Sequence, residues 1–359
     1  MLVAASAAGA RRLLFATDAG SSRPTLLIAK SRIKKVTRSR AGQKRSAGIS
    51  DIALGLADMA ACAHARLLEA HVSKTRTSSG PTVLRMILAR QLQELREKAG
   101  LSHEQAAEAI YASPWTIRRM ERAEGGLKAL NVKGLLLAYG ITDVREIDSF
   151  LALASEASKP GWWHSYSDVL PSWFRVFPGL EQAAELIRGY EPHCVPGLLQ
   201  TQDYARATLT AGYPDALPAE TDRRVALRIS RQQLLTRPGP PHLWIVIDEA
   251  VLRRPAGRPA VMRTQLDRLI SAAEQPGITL QVLPFAAGPH PAMYGTFHVF
   301  RFPAPELPDI VCGENMTSAF YPGKPQDAAT YVHALDRICA QAAPAEHTVK
   351  ILSDTRKEI

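Results

Sequence analysis

LSHEQAAEAIYASPWTIRRME, at residues 101–121, determines how the N-terminal part of this chain folds. Ser102 can cap a short helix, because Gln105 three residues later can reach back to the backbone of the cap. Ser113 and Pro114 then begin another helix, since serine suits the N-cap and proline the first helical position. Two short helices joined by a tight turn predict a helix-turn-helix.

A longer helix precedes this pair. Apolar residues recur at helical spacing from Leu84 to Ala99, and Gly100 suits the end of that helix. The last helix of the motif is expected to turn Ile117 and Met120 inward. The glycine pair at 125–126 is expected to stop it.

Two further helices are expected after the motif. The runs VKGLLLAYGITD (132–143) and EIDSFLALA (146–154) are apolar enough to pack on the first three helices. The sequence KPG at 159–161 then breaks the helical pattern. We therefore predict an all-α helix-turn-helix domain of five helices at residues 81–158, followed by a second domain from residue 162.

The net charge of +10 is unevenly distributed. Residues 1–80 hold 14 Lys and Arg against 4 Asp and Glu, whereas residues 81–359 hold 30 of each. The charge surplus thus says nothing about the rest of the chain. We expect residues 1–80 to be a disordered basic extension, or a product of a start codon assigned too early with Val72 as an alternative start. A basic arm along DNA phosphates is the other interpretation.

The four cysteines argue against several kinds of protein. Cys62, Cys194, Cys312 and Cys339 lie far apart with no C-x-x-C pair, so neither a zinc ribbon nor a disulfide scaffold is expected. No apolar run approaches the about 18 residues that a membrane-spanning helix needs. The composition predicts a soluble, cytoplasmic protein with no membrane partner.

Residues 82–123 resemble the Cro/repressor-type, or xenobiotic-response-element (XRE), helix-turn-helix family. The matching positions are Arg96, the turn Gly100-Leu101-Ser102, Ala107, Ile110, Ser113, Ile117, Met120 and Glu121. In that family an arginine of the first helix pairs with a glutamate late in the third. The resemblance therefore implies a structural ion pair between Arg96 and Glu121 that does not contact DNA.

The same resemblance implies which side chains meet double-stranded DNA, because this family reads base edges with the first half of the third helix. The base-facing positions are Ser113, Pro114, Trp115, Thr116 and Arg119, with Arg118 beside them. His103 matches a position that contacts the DNA backbone. Two residues depart from the family: Pro114 offers no side-chain hydrogen bond, and Tyr111 stands where many members have a turn glycine.

Each of these assignments has a plainer alternative. Arg118 and Arg119 can form a solvated helix face. Trp115 can pack against the neighbouring helix, and His103 can simply begin a helix. From the residues alone, both interpretations stay open.

The C-terminal region, residues 162–359, alternates helical and strand patterns. Helix-like stretches lie at 180–188, 221–235 and 261–274. Apolar, β-branched stretches typical of strands lie at 243–248, 278–284, 296–302 and 309–314. We predict a mixed α/β (α+β) domain, whose strand order the sequence does not give.

No enzyme motif stands out in this region. The chain has no phosphate-binding P-loop, no G-x-S-x-G elbow, no H-E-x-x-H helix and no His/Cys cluster. Asp248 and Glu249 can be an acid/base pair or can cap the following helix. His290, between two prolines, is expected in a rigid turn. We predict no catalytic residues, no metal site and no cofactor.

Several segments in this order look like the effector domain of a large actinobacterial regulator group. Its members are similar to WhiJ-type developmental regulators and to antitoxin-like regulators encoded beside a small partner protein. The segments that resemble this group are GWWHSY (161–166), YEPHCVPGLLQTQDYARA (190–207), RISRQ (228–232), DEAVLRR (248–254), MRTQLDRL (262–269) and VLPFAAG (282–288). The resemblance covers roughly residues 80–350 and implies transcriptional control. One departure is VCGE at 311–314, where members tend to have bulkier residues.

The VPGLLQT element at 195–201 is the most specific mark of this resemblance. It reads as a tight turn that presents apolar side chains. The residues expected to line an effector pocket or partner groove are Tyr190, Leu198, Leu199, Gln200 and Tyr204. The alternative is that they belong to the domain's own core and turn. Trp162 and Trp163 can likewise couple the two domains or form part of a core.

The leading hypothesis is a sequence-specific DNA-binding regulator. It is expected to act as a homodimer on a double-stranded operator, because one short helix reads too few base pairs. Its C-terminal domain is expected to bind a ligand or a small neighbour-encoded protein. The alternative is an antitoxin-like module that neutralises such a partner, with DNA binding as autoregulation. An enzyme with a DNA-binding appendage has no motif in its favour.

Overall fold

The computed structural model describes residues 80–305, 307–322 and 324–359. The expectations for residues 1–79, including the alternative start at Val72 and the position of Cys62, lie outside the described residues. Five helices form the first part of the described chain. They are α1 (Pro81–Lys98), α2 (His103–Ala109), α3 (Pro114–Glu121), α4 (Ala129–Ala138) and α5 (Val144–Ala157).

The beginnings of α2 and α3 follow from the capping residues. The Ser102 hydroxyl accepts a hydrogen bond from the Gln105 amide, and the Gln105 side chain accepts one from the Ser102 amide, so the predicted capping box is present. Ser113 accepts from the Thr116 amide, and α3 starts at Pro114. These contacts satisfy amides that a helix start leaves free.

The end of α3 differs from the expectation. The helix stops at Glu121, and Ala123, with φ 59°, takes the left-handed conformation. The glycine pair at 125–126 therefore lies beyond the stop instead of forming it. Tyr111 also has a positive φ, 52°, in the turn between α2 and α3. An L-residue is strained in this region because its Cβ crowds the following carbonyl.

The five helices share one apolar core. Ile117 and Met120 of α3 are buried, as their spacing predicted, in the same core as Leu88 and Leu92 of α1. Gly134 in α4 lies so close to the end of α2 that an added Cβ would stand 2.7 Å from Ile110 Cγ2. The core therefore fixes α3 from the side that faces away from solvent.

The second part of the described chain combines a six-stranded sheet with seven helices. The strands are β1 (Leu186–Glu191), β2 (His242–Asp248), β3 (Ile278–Leu283), β4 (Phe297–Arg301), β5 (Ile310–Glu314) and β6 (Ala319–Phe320). The helices are α6 (Phe177–Ala183), α7 (Gln202–Gly212), α8 (Pro218–Arg231), α9 (Glu249–Arg253), α10 (Pro259–Ala273), α11 (Pro325–Gln341) and α12 (Thr348–Glu358).

The sheet has the strand order β3-β2-β1-β4-β5-β6. Strands β1, β2 and β3 run parallel, whereas β4, β5 and β6 pair antiparallel. The parallel pairs require long crossovers, which the helices between them supply. A helical domain followed by an α+β domain is thus confirmed.

One predicted helix was wrong. The stretch 180–188 was expected to be helical throughout, but α6 ends at Ala183 and β1 starts at Leu186. Strand β1 is central: Ile187 pairs with Leu243 of β2 on one side and with Phe300 of β4 on the other. Pairing on both sides outweighs the local helical preference of the sequence.

The two faces of the sheet bury different side chains. On one face, Ile187 and Ile245 join the large core that also contains Leu180 of α6 and Leu269 of α10. On the other, Tyr190 joins a smaller core covered by α11. Helix α6 also packs against α1, so the helix-turn-helix part and the sheet domain are in direct contact.

Trp162 and Trp163 lie in a short 3₁₀ helix, Trp162–Tyr166, that follows α5. Trp163 is buried with Leu170 and Leu227, while Trp162 is 40% exposed. Trp163 therefore belongs to a small core of its own. Within the described residues, no helix is both long and apolar enough to cross a membrane.

Candidate nucleic-acid interface and effector cavity

A buried ion pair ties α3 to α1. Arg96 Nε donates to Glu121 Oε1 at 2.6 Å and Arg96 Nη2 to Glu121 Oε2 at 3.0 Å. The two side chains are only 8% and 6% exposed. Arg96 Nη1 also donates to the Leu101 carbonyl at 2.9 Å. The hydrogen bond to Glu121 raises the pKa of Arg96 despite the opposing effect of burial. The two residues expected to pair are thus in contact, and they fix the C-terminal end of α3.

His103 belongs to the same cluster. Its Nε2 lies 3.1 Å from Glu121 Oε2, and its side chain is partly exposed. The residue expected to contact a DNA phosphate therefore places its ring against the carboxylate that holds Arg96.

The first turn of α3 is exposed. Trp115 is 63% exposed, so it does not pack against the neighbouring helix as its alternative interpretation required. Instead, the Arg119 guanidinium lies over the Trp115 ring, with its central carbon 4.6 Å from the ring centroid. Arg119 Nη2 also donates to the Glu124 carbonyl at 3.0 Å. This stacked pair is an amphipathic surface open to solvent.

The remaining α3 candidates also lie at the surface. The Ser113 and Thr116 hydroxyls are 3.0 Å apart at the start of the helix. Arg118 Nη2 approaches Glu104 Oε1 of α2 at 3.4 Å, an exposed contact that solvent weakens. Tyr111, in the turn just before, is fully exposed. The structure thus brings Ser113, Trp115, Thr116, Arg118 and Arg119 to one short exposed helix.

A cavity of about 420 Å³ opens on one face of the sheet domain. Strands β1, β2, β4 and β5 contribute to it, together with α6, α8 and the turn at Gly197–Leu199. Charged or titratable side chains from five of these elements face it. They are Glu181, Glu191, Arg228, Arg231, His298 and Glu314.

Two ion pairs stand in the cavity wall. Arg231 donates twice to Glu181, at 2.8 and 2.7 Å, and both side chains are buried. His298 Nε2 lies 3.3 Å from Glu191 Oε1. Burial opposes the charged form of His298, but the hydrogen bond to Glu191 and the charges of Glu191 and Glu314 outweigh it. The pKa of the imidazole is therefore raised.

The five residues expected to line one effector pocket do not converge. Leu198 and Gln200 line the cavity. Leu199 is buried in the large core, and Tyr204 is buried with its hydroxyl accepting from the Val195 amide. Tyr190 points to the opposite face of the sheet, because side chains alternate along β1. The expectation of one shared pocket is corrected accordingly.

Tyr190 forms a separate polar contact at the carboxyl end of β2. Its hydroxyl donates to Asp248 Oδ2 at 2.9 Å and lies 3.1 Å from His290 Nε2. Asp248 Oδ1 accepts from the Ala250 amide at 2.8 Å, so the helix-capping interpretation of Asp248 is confirmed. Glu249 accepts from the Phe285 amide, which makes it a structural link to the loop after β3. These contacts support the strand ends.

The cavity residues Arg228, Glu191, His298 and Glu314 were not singled out in the sequence. Three of them lie in the segments RISRQ, VCGE and YEPHCVPGLLQTQDYARA, but nothing local shows that they face one cavity. No group of three His, Cys, Asp or Glu side chains among the described residues is placed to hold a metal ion. Cys194, Cys312 and Cys339 carry free thiols.

Comparison with known families agrees with this architecture. Residues 87–149 match a family described as a helix-turn-helix domain. Residues 174–354, just over half of the chain, match a family described as a domain of unknown function, DUF5753. No curated protein and no solved structure matches the chain. The helix-turn-helix domain indicates a DNA-binding regulator. The chain therefore belongs to the DUF5753 family, with a helix-turn-helix domain preceding the DUF5753 region.

Proposed function

We propose that this protein is a sequence-specific DNA-binding transcription regulator whose helix α3 enters the major groove. The single observation that carries this proposal is the exposed first turn of α3, held from behind by the buried pair of Arg96 and Glu121. A reading helix needs exposed side chains on a rigid support, because loose positioning loses base discrimination. The assignment of base contacts follows the Cro/repressor-type resemblance.

The side chains of α3 offer the chemistry that this role needs. Arg119 can donate two parallel hydrogen bonds to the O6 and N7 atoms of a guanine. To do so it exchanges its present bond to the Glu124 carbonyl for contacts with the base. Trp115 presents an apolar ring to sugars or thymine methyl groups, and Thr116 a hydroxyl to phosphate or base. Arg118 lies beside them and supplies phosphate attraction.

We also propose that the protein binds its operator as a homodimer in the cytoplasm. Helix α3 has only 8 residues, of which the first turn and the side chains of Arg118 and Arg119 reach DNA in this proposal. A single such helix contacts too few base pairs for a unique site, and a second copy on a two-fold repeat supplies the rest.

The C-terminal domain is proposed to sense an effector. The cavity in its sheet face carries buried charged side chains, and one of them, Glu181, lies on α6, the helix that packs against α1. An effector that contacts α6 is therefore connected to α3 through two helices, α6 and α1. A small molecule fits this cavity better than a protein does. Co-purification of a small protein with the full chain would favour the antitoxin-like alternative.

Selection from a random double-stranded DNA library tests the proposed function. The full chain is expected to enrich a defined sequence with two related half-sites about one helical turn apart. Footprinting on that sequence is expected to protect the major groove of each half-site. Failure to enrich any sequence over the starting library would overturn the proposal. A site with one unrepeated element would overturn the homodimer.

A further inference from the structure

The cavity of the sheet domain has an apolar floor and an aromatic side. Ile187, Leu243 and Ile245 contribute the floor from β1 and β2. Phe174 and Phe177 stand beside it, with their rings stacked at 4.8 Å. The volume of about 420 Å³ falls within the range of small-molecule sites, about 300–1,000 Å³. An apolar group of a small ligand can therefore be covered here.

One buried polar atom in the wall lacks a partner. His298 is 7% exposed, and its Nδ1 makes no hydrogen bond among the described residues. The nearest carboxylate oxygen, Glu314 Oε1, lies 3.9 Å away, which is too far for a hydrogen bond. Buried polar atoms in folded proteins almost always have partners, because losing water without replacement is costly. With the ring protonated, Nδ1 is a donor, so a carboxylate or peptide carbonyl oxygen of a ligand would supply the missing acceptor.

Two groups of opposite charge face the cavity without strong partners. Arg228 donates to Gln200 Oε1 at 3.0 Å and pairs with no carboxylate of the described residues. Burial, followed by the nearby charge of Arg231, lowers its pKa, so an anion beside it would be favoured. Glu314 has no arginine or lysine within ion-pair distance among the described residues. Burial raises the pKa of the Glu314 carboxyl group, and a cation beside this group would lower that pKa again.

The charges of the cavity balance when the side chains are ionised. Three carboxylates, Glu181, Glu191 and Glu314, face Arg228, Arg231 and His298. A ligand with a net charge would disturb this balance among side chains that burial shields from water. A ligand with only an anionic group would place no positive charge beside Glu314. A ligand with only an amine would place no negative charge beside Arg228.

We propose that the cavity binds a zwitterionic small molecule of the amino-acid or short-peptide class, with its carboxylate at Arg228, its ammonium at Glu314 and an apolar side chain over Ile187 and Ile245. This inference deepens the proposed sensing role and rests on it. The ligand's ammonium meets the carboxylate beside His298, and its carboxylate forms a charge-assisted pair with the guanidinium. Contact with the wall that contains Glu181 then reaches α6 and, through it, α1.

Calorimetric titration of the full chain without DNA tests this proposal. The probes are L-phenylalanine, L-leucine and the dipeptide of the two, at millimolar concentrations. Two matched analogues, 2-phenylethylamine and 3-phenylpropanoate, each keep one charge and the ring. We expect at least one zwitterion to bind at least about tenfold more tightly than either analogue, which is about 1.4 kcal/mol. Equal binding by an analogue, or no binding by any zwitterion, would overturn the proposal.

Variants locate the binding site. Arg228→Gln and Glu314→Gln are each expected to weaken binding of the zwitterion at least about tenfold. Arg223→Gln serves as the matched control, because this arginine of α8 is exposed and pairs with Asp168 outside the cavity. Unfolding midpoints verify that each variant is folded. Unchanged affinity in both cavity variants would overturn the assignment. Because the titration contains no DNA, its failure is distinguishable from a failure of DNA selection.

Discussion

Glu121→Gln is predicted to destabilise the helix-turn-helix domain strongly. The substitution keeps the shape of the side chain but removes the charge that Arg96 and His103 face. The glutamine oxygen can accept one hydrogen bond from the Arg96 guanidinium. Its NH₂ group then faces the other guanidinium nitrogen, which is also a donor. The arginine is then left buried, 8% exposed, without a counter-charge.

The structure sets the size of the effect. Breaking a buried pair from one side costs about 3–5 kcal/mol, because the remaining charge has lost its water and its partner. That is a large part of the about 5–15 kcal/mol that stabilises a typical domain. The exposed pair Arg90–Glu94 on the same α1 helix is the matched control. Its atoms lie 3.1 Å apart with side chains 50% and 46% exposed, so Glu94→Gln should cost no more than about 0.5 kcal/mol.

Urea unfolding of the full chain, combined with hydrogen exchange of the α3 amides, measures these changes in the domain concerned. A double-mutant cycle with Arg96→Met then isolates the coupling between the two residues. We expect the double variant to be less destabilised than the sum of the single variants. If Glu121→Gln costs no more than Glu94→Gln, the pair does not hold α3 and the reasoning is refuted.

Three further predictions concern other parts of the molecule. Gly134→Ala should destabilise the domain by about 1–3 kcal/mol in urea unfolding, although alanine favours helix, because its methyl group meets the end of α2. Tyr111→Asn should stabilise it by about 1 kcal/mol, because asparagine tolerates the φ of 52° better and the tyrosine ring is fully exposed. The pKa of His298 is raised in the folded protein, so its protonated imidazole stabilises the fold. This contribution is fully present below about pH 6.5, the pKa of a histidine in the unfolded chain, and is lost as the pH rises through the pKa of His298 in the folded protein. The unfolding free energy should thus fall with rising pH in that window, by at most about 1.4 kcal/mol per unit, and His298→Gln should flatten the slope.

Each of these predictions has a control or a contradicting result. Gly212→Ala, at the end of α7 in open space, should not destabilise the fold. An equal loss at positions 212 and 134 would contradict the steric explanation. A lower midpoint for Tyr111→Asn would show that the turn is not strained. Identical pH profiles for the wild type and His298→Gln would show that the imidazole is not the titrating group.

The helix-turn-helix was predictable because its signals are local. The capping box of Ser102 and Gln105 and the Ser113-Pro114 start each act within one turn of helix. Ion pairing between Arg96 and Glu121 required the family resemblance, since nothing local joins two residues on different helices. The end of α3 at Glu121, followed by the left-handed Ala123, was missed because a glycine pair nearby offered the more usual stop.

The C-terminal domain was less predictable because its structure depends on distant pairing. Strand β1 reads as helix in isolation, and only β2 and β4 on its two sides make it a strand. The cavity depends on the same pairing, which sets His298 of β4 across from Gly189 of β1. A Cβ at Gly189 would stand 2.7 Å from His298 Cδ2, so glycine leaves room for the imidazole. No pattern within either strand shows this juxtaposition.

The most direct test of the DNA-binding account measures base discrimination by Arg119. The wild-type chain and Arg119→Ala are titrated against the selected operator and against its single-base-pair variants. We expect Arg119→Ala to lose about 1–3 kcal/mol on the operator and to stop discriminating at one base pair of each half-site. Arg263→Ala, an exposed arginine on α10, should change neither quantity. An Arg119→Ala protein that retains both the affinity and the full base discrimination of the wild type would contradict the placement of α3 in the major groove.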